Sequence, residues 1–182
     1  MQDAELIQSV LSGNERDYEQ LVKNYQTNVF RTAIGILHIK EDAEEVTQDV
    51  FIKAYQSLSS FSGKSAFSTW LYRITVNASI SYLRKKKRKG LWVELTGFFQ
   101  IQAKEKNAEA ELSEKSDKKL VRNAIDSLPD KQKLAFVLTK YEELPQRQVA
   151  EIMEISEGAV EQLVVRAKAN LRKKLETIVR EP

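Results

Sequence analysis

The sequence predicts an all-α protein of two small helical domains joined by a flexible linker, the second a helix-turn-helix domain. Only six Gly and three Pro occur in 182 residues, too few turn residues for a many-stranded sheet. Apolar residues recur at three- and four-residue steps along most of the chain, as on the buried face of a helix. A highly charged segment of low complexity, AKEKNAEAELSEKSD, interrupts this period and divides the chain.

Composition excludes several classes of function. With 42% hydrophobic and 30% charged residues the chain should fold rather than stay disordered. It has no Cys and one His, which excludes disulfides, thiolate metal sites and a cysteine nucleophile, and we expect no metal and no cofactor. The N-terminus lacks a basic segment followed by an apolar core, and no apolar run approaches the roughly 18 residues of a membrane span. We therefore expect a cytoplasmic protein without membrane insertion.

Four helices are predicted in the first domain, residues 1–89. Asp3 suits the N-cap of a short helix that Gly13 ends, and Ser65 suits the N-cap of the fourth helix. The second helix and the third, over about Lys40 to Ser59, each carry an apolar row at helical spacing. The rows are Tyr18, Leu21, Val22, Tyr25, Val29, Ala33 and Leu37 in the second helix and Ala43, Val46, Val50, Ala54 and Leu58 in the third. Between the third and fourth helices, SSFSGKSAF predicts a loop.

The opposite side of the third helix is acidic. Asp42, Glu45, Asp49 and Ile52 step by three or four residues, with Gln48 beside them. Most charged helix faces are simply solvated. Because this acidic strip repels nucleic acid, a functional role would require a basic protein surface as its partner.

The fourth helix begins with FSTWLYRITVNASISYLRKKKRKG, residues 67–90, and leaves two interpretations open. Its six consecutive basic residues, Arg84 to Lys89, are consistent with a solvated helix end that complements the helix dipole. Interleaved aromatic residues favour nucleic acid, since bases stack on aromatic faces at about 1–3 kcal/mol each while cations neutralise phosphates. Helical spacing places at least part of one row in the core: Phe67, Trp70, Leu71, Ile74 and Ala78.

A linker is predicted over residues 90–117 and the second domain over residues 118–182. The stretch LWVELTGFFQIQ after Gly90 is apolar but has no clear helical period. A helical period returns near Lys118 and ends at Leu128, and Pro129 suits the first turn of the next helix.

A short helix, a tight turn and a longer helix then follow in LPQRQVAEIMEISEGAVEQLVVRAKANLRKKL. Pro145 can open the short helix, and Ser156 can cap the long one. Small Ala150 and Gly158 near the predicted crossing favour the steep packing of a DNA-binding helix-turn-helix.

Two stretches in this order resemble the extracytoplasmic-function (group IV) sigma factors of bacterial RNA polymerase. They are DAEEVTQDVFIKAYQSLSSFSGKSAFSTWLYRITVNASISYLRKKKRK, and LPDKQKLAFVL with the terminal helix-turn-helix. The resemblance covers nearly the whole chain and implies two helical domains, regions two and four, in a promoter-specificity subunit that is not an enzyme. The implied partners are promoter DNA, an anti-sigma protein and core RNA polymerase, at the clamp helices of its largest subunit and the flap of the second-largest.

The resemblance also implies roles for individual residues. Core polymerase would be bound by Asp42, Glu45, Gln48, Asp49, Phe51 and Ile52. The minus-ten element would be bound by Lys53, Ser57, Phe61, Lys64, Phe67, Trp70, Tyr72, Arg73, Ile74, Asn77, Arg84, Lys85 and Lys86. Among these, a pocket for a base flipped from the non-template strand would be formed by Lys53, Ser57, Phe61, Tyr72, Arg73, Ile74 and Asn77. Stacking on Phe61 or Tyr72 and hydrogen bonds to Asn77 would offset the cost of flipping. The minus-thirty-five element would be bound by Ser156, Glu157, Ala159, Gln162 and Arg166, with Arg172 and Lys173 on phosphates.

Two segments depart from the family pattern. Glu161 and Leu163 stand where Lys or Arg is common, so either the base preference changes, because Glu can accept a hydrogen bond from cytosine, or minus-thirty-five binding weakens. In FSGKS the positive charge moves to Lys64, and we expect a shifted minus-ten preference.

Two other classes of function remain open. A stand-alone helix-turn-helix regulator would bind duplex DNA without polymerase and would leave the acidic strip without a role. A helical adaptor or antagonist would bind only protein and show no salt-dependent affinity for DNA. An enzyme is disfavoured, because the sequence has no Gly-rich nucleotide-hydrolysis loop and the single His, His38, is more often a helix-end residue than a catalyst.

Overall fold

The computed structural model describes residues 2–95 and 120–180, with side chains over 2–88 and 120–176. The first unit comprises α1 (Asp3–Leu11), α2 (Arg16–Leu37), α3 (Lys40–Ser57), a 3-10 turn (Leu58–Ser60) and α4 (Phe67–Leu95). The second comprises α5 (helical residues 120–126), α6 (Asp130–Lys140), α7 (Gln146–Met153) and α8 (Glu157–Arg180). The predicted all-α fold is confirmed. Over the two described ranges, no helix is long and apolar enough to cross a membrane.

The first unit is built around the packing of α2, α3 and α4, with α1 against α2. The apolar rows predicted on α2 and α3 lie in or against this core, and α1 adds Leu6, Ile7 and Val10. The Tyr18 hydroxyl donates to the Phe51 carbonyl at 2.6 Å. Burial raises the pKa of Tyr18 to about 12, so the phenol stays protonated and keeps this bond between α2 and α3 at neutral pH.

Helix α4 is buried on two sides. Phe67, Leu71 and Ala78 face the first core, whereas Tyr72, Val76 and Ile80 belong to a second core shared with α6, α7 and α8. Thr75 and Ser79 are also buried, and their hydroxyls donate to carbonyls one turn earlier in the helix at 2.8 Å. These bonds satisfy the hydroxyls without a partner from another helix, so α4 can pack closely on both sides.

The second unit forms the predicted helix-turn-helix. Val149, Ala150 and Ile152 of α7 are buried, as is Val160 of α8. The turn passes through Glu154, whose φ is 55°. Ser156 caps α8 as predicted, accepting a hydrogen bond from the Ala159 backbone N–H at 3.2 Å.

Several local predictions are wrong. Asp3 is the first residue of α1 rather than its cap: Gln2 takes the N-cap position and forms a capping box with Glu5. The Asp3 carboxylate accepts a hydrogen bond from the Tyr25 hydroxyl. Ser65 does not cap α4, which begins two residues later, at Phe67. The helix continues through Gly90 to Leu95, since one glycine costs a helix only about 1 kcal/mol relative to alanine. Gly158 is not at a close crossing: a Cβ there would meet nothing within 4 Å.

The rest of the predicted linker, residues 96–117, and the side chain of Lys89 lie outside the described residues.

Candidate protein and nucleic-acid interfaces

The acidic side of α3 presents Gln48, Asp49 and Ile52 to solvent, and Ile52 is 55% exposed. Phe51 is less exposed. Its side chain is 9% exposed and packs in the first core, because a step of one residue turns the side chain about 100° around the helix. Phe51 also lines a groove with Ile52, so it stays a predicted member of the docking surface.

The other end of the acidic strip is held to α4. The Tyr82 hydroxyl lies 2.9 Å from an Asp42 carboxylate oxygen and 3.2 Å from Glu45, and Lys86 pairs with Asp42, whose side chain is 13% exposed. Burial and the hydrogen bond to Asp42 raise the pKa of Tyr82, so the phenol remains a donor. Asp42 thus joins α3 to α4, whereas Asp49 is exposed to solvent.

An apolar groove continues from Ile52 along the start of α2. Tyr18, Phe51 and Tyr55 line it, together with Glu15, Arg16 and Glu19. Tyr55 is 42% exposed, and its ring lies edge-on to Tyr18 with centroids 4.9 Å apart. Its hydroxyl donates to Glu15 at 3.0 Å, a bond that raises the pKa of Tyr55. Strip and groove together form an apolar surface on which the carboxylates Glu15, Glu19 and Asp49 outnumber one cation, Arg16. This excess of negative charge suits a basic amphipathic partner.

An aromatic cluster joins the loop before α4 to the start of that helix. The Phe61 ring lies 5.6 Å from Phe67 and 5.4 Å from Trp70, centroid to centroid. Phe67 is buried, so it supports the cluster, while Phe61 and Trp70 are half-buried. Gly63, with φ 70°, turns the loop in a left-handed conformation that suits glycine, and the next residue, Lys64, is exposed.

At the end of α3, Lys53 is exposed, and the Ser57 hydroxyl donates to the Lys53 carbonyl at 2.6 Å. These two predicted minus-ten residues precede the loop that carries Phe61. Their placement before the aromatic cluster keeps them candidates for DNA contact.

The residues predicted to capture a flipped base do not share one face of α4. At 100° per residue, Trp70, Arg73 and Asn77 fall within about 60° of one another, whereas Tyr72 lies about 140° from Asn77. Asn77 is exposed and Ile74 is half-buried against the first core. Tyr72 is 8% exposed in the second core. The prediction that Tyr72 faces outward is thus wrong for this conformation.

Part of the basic run on α4 is engaged within the protein. Arg84 pairs with Asp130 of α6 at 2.9 Å, and Lys86 pairs with Asp42 of α3. Arg73, earlier on the same helix, donates to the Glu151 carbonyl of α7 at 2.8 Å. Lys85, between the two paired cations of the run, is exposed. The positive charge open to a phosphate backbone is therefore smaller than the sequence alone suggests.

Helix α8 presents its predicted DNA-reading residues at its start. Glu157, Gln162 and Arg166 are exposed, Ala159 is half-buried, and Ser156 serves as the cap. Glu161 is exposed beside Gln162, whereas Leu163 is half-buried. Because Gln162 and Arg166 are four residues apart, they lie on the same face of the helix.

Beyond this face, Arg172 pairs with Glu176 at 2.8 Å, and Lys173 is exposed. An exposed pair one helical turn apart contributes only about 0.3–0.5 kcal/mol, so Arg172 can exchange Glu176 for a phosphate at little cost. Both residues remain candidate phosphate contacts.

Sequence reasoning missed two tyrosines of the first unit. The position of Tyr55 could have been inferred from the sequence, because Tyr55 follows Ile52 by three residues and so lies on the same side of α3. No local pattern indicates the role of Tyr82, since its partner Asp42 is 40 residues away.

Family models match both units of the chain. Residues 21–89 match the model described as Sigma-70 region 2, and residues 118–171 match the model described as Sigma-70, region 4. The RNA polymerase sigma-H factor of Pseudomonas aeruginosa is 30% identical over 187 residues, covering 99% of this chain and 97% of that protein. The ECF RNA polymerase sigma-E factor of Haemophilus influenzae is 30% identical over 184 residues, covering 97% of each.

Solved structures show the same fold. CnrH in complex with the cytosolic domain of CnrY matches with a TM-score of 0.68 and 24% identity, covering 96% of this chain and 97% of that one. The sigma factor RpoE in complex with the anti-sigma factor NepR from Bartonella quintana matches with a TM-score of 0.64 and 24% identity, covering 88% and 98%.

Proposed function

This chain belongs to the sigma-70 family of RNA polymerase sigma factors, in its extracytoplasmic-function group, and from this premise we propose which surfaces perform each step of initiation. The open end of the acidic strip, at Asp49 and Ile52, docks on the clamp helices of the largest polymerase subunit. The second unit binds the flap of the second-largest polymerase subunit. The protein acts in the bacterial cytoplasm as an initiation factor rather than as a catalyst.

Promoter opening in this proposal uses binding energy. Unpairing a base costs a few kcal/mol, and stacking on an aromatic face returns about 1–3 kcal/mol. The half-buried Phe61 and Trp70 provide the stacking surface. The exposed Asn77, about two turns later on the same face of α4 as Trp70, provides the polar group. The exposed start of α8 reads the minus-thirty-five element in the major groove.

The observation that carries the proposal is the acidic and apolar surface on the same chain as a helix-turn-helix. A stand-alone regulator would need only the helix-turn-helix and would have no use for an exposed Ile52 beside Asp49. Run-off transcription of a genomic library with core polymerase tests this directly. We expect discrete start sites that require the protein; protection of duplex DNA by the protein alone, with no effect on transcription, would favour the regulator.

An anti-sigma protein is a further proposed partner. The Bartonella quintana RpoE, which shares the fold, was solved bound to one. We propose the stretch LWVELTGFF as a contact for such a partner; only its helical backbone up to Leu95 lies within the described residues. Mass spectrometry of the protein isolated from its native cell, followed by addition of the purified candidate to transcription reactions, tests this proposal. A candidate that binds but leaves transcription unchanged would not be an anti-sigma factor.

Arg166 provides a test of minus-thirty-five recognition. If it reads a base, Arg166→Ala should weaken binding by about 1–3 kcal/mol and relax preference at one position of the element. Competition binding of the holoenzyme to promoters with single substitutions in the element measures both effects. Lys168→Ala is the matched control, because it also removes one exposed cation but lies about 200° away around α8. An equal loss of affinity for every promoter sequence would indicate that Arg166 contacts a phosphate instead of a base.

A further inference from the structure

An exposed valine lies in the middle of α8. Val165 is 55% exposed, whereas Val160 and Ala167 of the same helix are 0% exposed and Val164 packs against the second core. At 100° per residue, Val165 lies about 140° from Val160 around the helix axis. Its position is therefore on the side of α8 that faces away from the core.

Neither burial nor helix propensity favours valine at position 165. A single exposed apolar residue is ordinary on a protein surface. Valine is, however, a weaker helix former than alanine, lysine or arginine, because its branched Cβ restricts the χ1 angle. Those better helix formers occupy neighbouring exposed positions of α8, at Lys168, Ala169 and Arg172. A contact with a binding partner would give the exposed valine a role that the fold of the described residues does not.

Val165 shares its side of α8 with two residues proposed to read the minus-thirty-five element. Gln162 lies about 60° from Val165 around the helix and Arg166 about 100° from it, and all three are exposed. Gln162 is about 160° from the buried Val160, so it lies near the middle of this exposed side. An apolar side chain is thus placed beside hydrogen-bonding ones on the surface that enters the major groove in the proposed function.

The major groove offers an apolar side chain one distinctive target. The C5-methyl group of thymine is the apolar group on the base edges there, whereas adenine, guanine and cytosine present hydrogen-bond donors and acceptors. Glutamine suits adenine, because its amide can donate to N7 and accept from the N6 amino group. Three residues advance about 4.5 Å along a helix, compared with about 3.4 Å per base pair along DNA. Val165 and Gln162 can therefore reach the same base pair or neighbouring ones.

We propose that Val165 determines specificity for the minus-thirty-five element: its methyl groups pack against the C5-methyl of a thymine, beside an adenine bound by Gln162. This inference rests on the proposed role of α8 in promoter recognition, and it names the base pair that the helix selects. The minus-thirty-five element must then contain an A·T pair. Because cytosine and uracil lack the C5-methyl group, the contact distinguishes thymine from both.

Replacement of thymine by uracil tests the contact, because it removes the methyl group and leaves base pairing unchanged. Each thymine of the element, on either strand, is replaced in turn, and competition binding of the holoenzyme measures the affinity. We expect the wild-type protein to lose affinity roughly fourfold at one position, as for one methyl group removed from an apolar contact. Val165→Ala should bind the thymine and uracil promoters equally at that position.

Val121→Ala is the matched control, because it shortens a valine of α5 that is 42% exposed, and it should keep the preference for thymine. Val165→Ala should fold normally, since alanine is the better helix former, and circular dichroism checks this. Equal affinity of the wild-type protein for thymine and uracil at every position would overturn the proposal, as would a thymine preference that persists in Val165→Ala. Weaker association of Val165→Ala with core polymerase, without a change in thymine preference, would make the valine a protein contact instead.

A second measurement tests the adenine. 7-Deazaadenine lacks the N7 acceptor, and at the uracil-sensitive base pair or the next one it should lower the affinity of the wild-type protein roughly fivefold or more. Gln162→Ala should not respond to this base. Binding of the wild-type holoenzyme to the unmodified promoter separates the two levels of the proposal. Absence of specific binding there would refute the proposed function and the role of Val165 with it, whereas specific binding without any effect of the modified bases would refute the base assignment alone.

Discussion

Asp49→Lys should abolish association with core RNA polymerase and leave the protein folded. Asp49 is exposed on α3 beside Ile52, and the proposed docking site on the polymerase is basic. Reversal of the charge replaces an attraction by a repulsion; losing a close interfacial charge pair costs about 2–5 kcal/mol, or roughly 30-fold or more in affinity. Co-purification with core polymerase and interferometry against immobilised core measure the loss.

The matched control for Asp49→Lys is Glu143→Lys, which makes the same change of charge at an exposed position outside the acidic strip. The φ of residue 143 is 52°, which is as unfavourable for Lys as for Glu. The substitution Glu143→Lys should therefore not destabilise the fold. Undiminished binding by Asp49→Lys, or an equal loss in both variants, would rule out the clamp assignment.

Asp42 is a less suitable position for the same test. Its carboxylate accepts the Tyr82 hydroxyl and pairs with Lys86, and its side chain is 13% exposed. Charge reversal there would also leave a partly buried phenol and an ammonium without their partner, and would destabilise the packing of α3 on α4. A lost interaction with polymerase could then reflect either docking or folding.

Local periodicity accounts for much of the fold. Ala43, Val46, Val50, Ala54 and Leu58 were predicted on one face of the third helix, and all five are buried. The helix-turn-helix was predictable for the same reason, because the cap at Ser156 and the apolar steps of α7 and α8 lie within one short segment.

The position of Tyr72 could not be predicted from such local signals. Its burial depends on Val149 and Ile152, about 80 residues later in the chain. The helical period of α4 does not indicate that the second unit packs against it. Gly35 is similar, because its close neighbour Val137 lies on the other unit. The sequence identified the helix that carries the candidate site, and the packing of the two units decided which of its residues are exposed.

Asn77→Ala should impair promoter opening without weakening polymerase binding. Asn77 is exposed in the middle of α4, and alanine is the better helix former, so the substitution should not destabilise the fold. A captured base that loses its hydrogen-bonding partner costs about 1–3 kcal/mol, or roughly 5- to 150-fold in open-complex formation. Permanganate reactivity of unpaired thymines measures the open complex, and co-purification measures polymerase binding.

Asn28→Ala is the matched control, since it makes the same substitution at an exposed position of α2. Phe61→Ala is less informative alone, because it also removes ring packing on Phe67 and Trp70. Base substitutions in the minus-ten element distinguish loss of base capture from a general defect in promoter opening. At one position of the element, the wild-type protein should discriminate between bases and Asn77→Ala should not. If both proteins discriminate equally at every position, Asn77 does not contact the captured base, whatever its effect on the rate of opening.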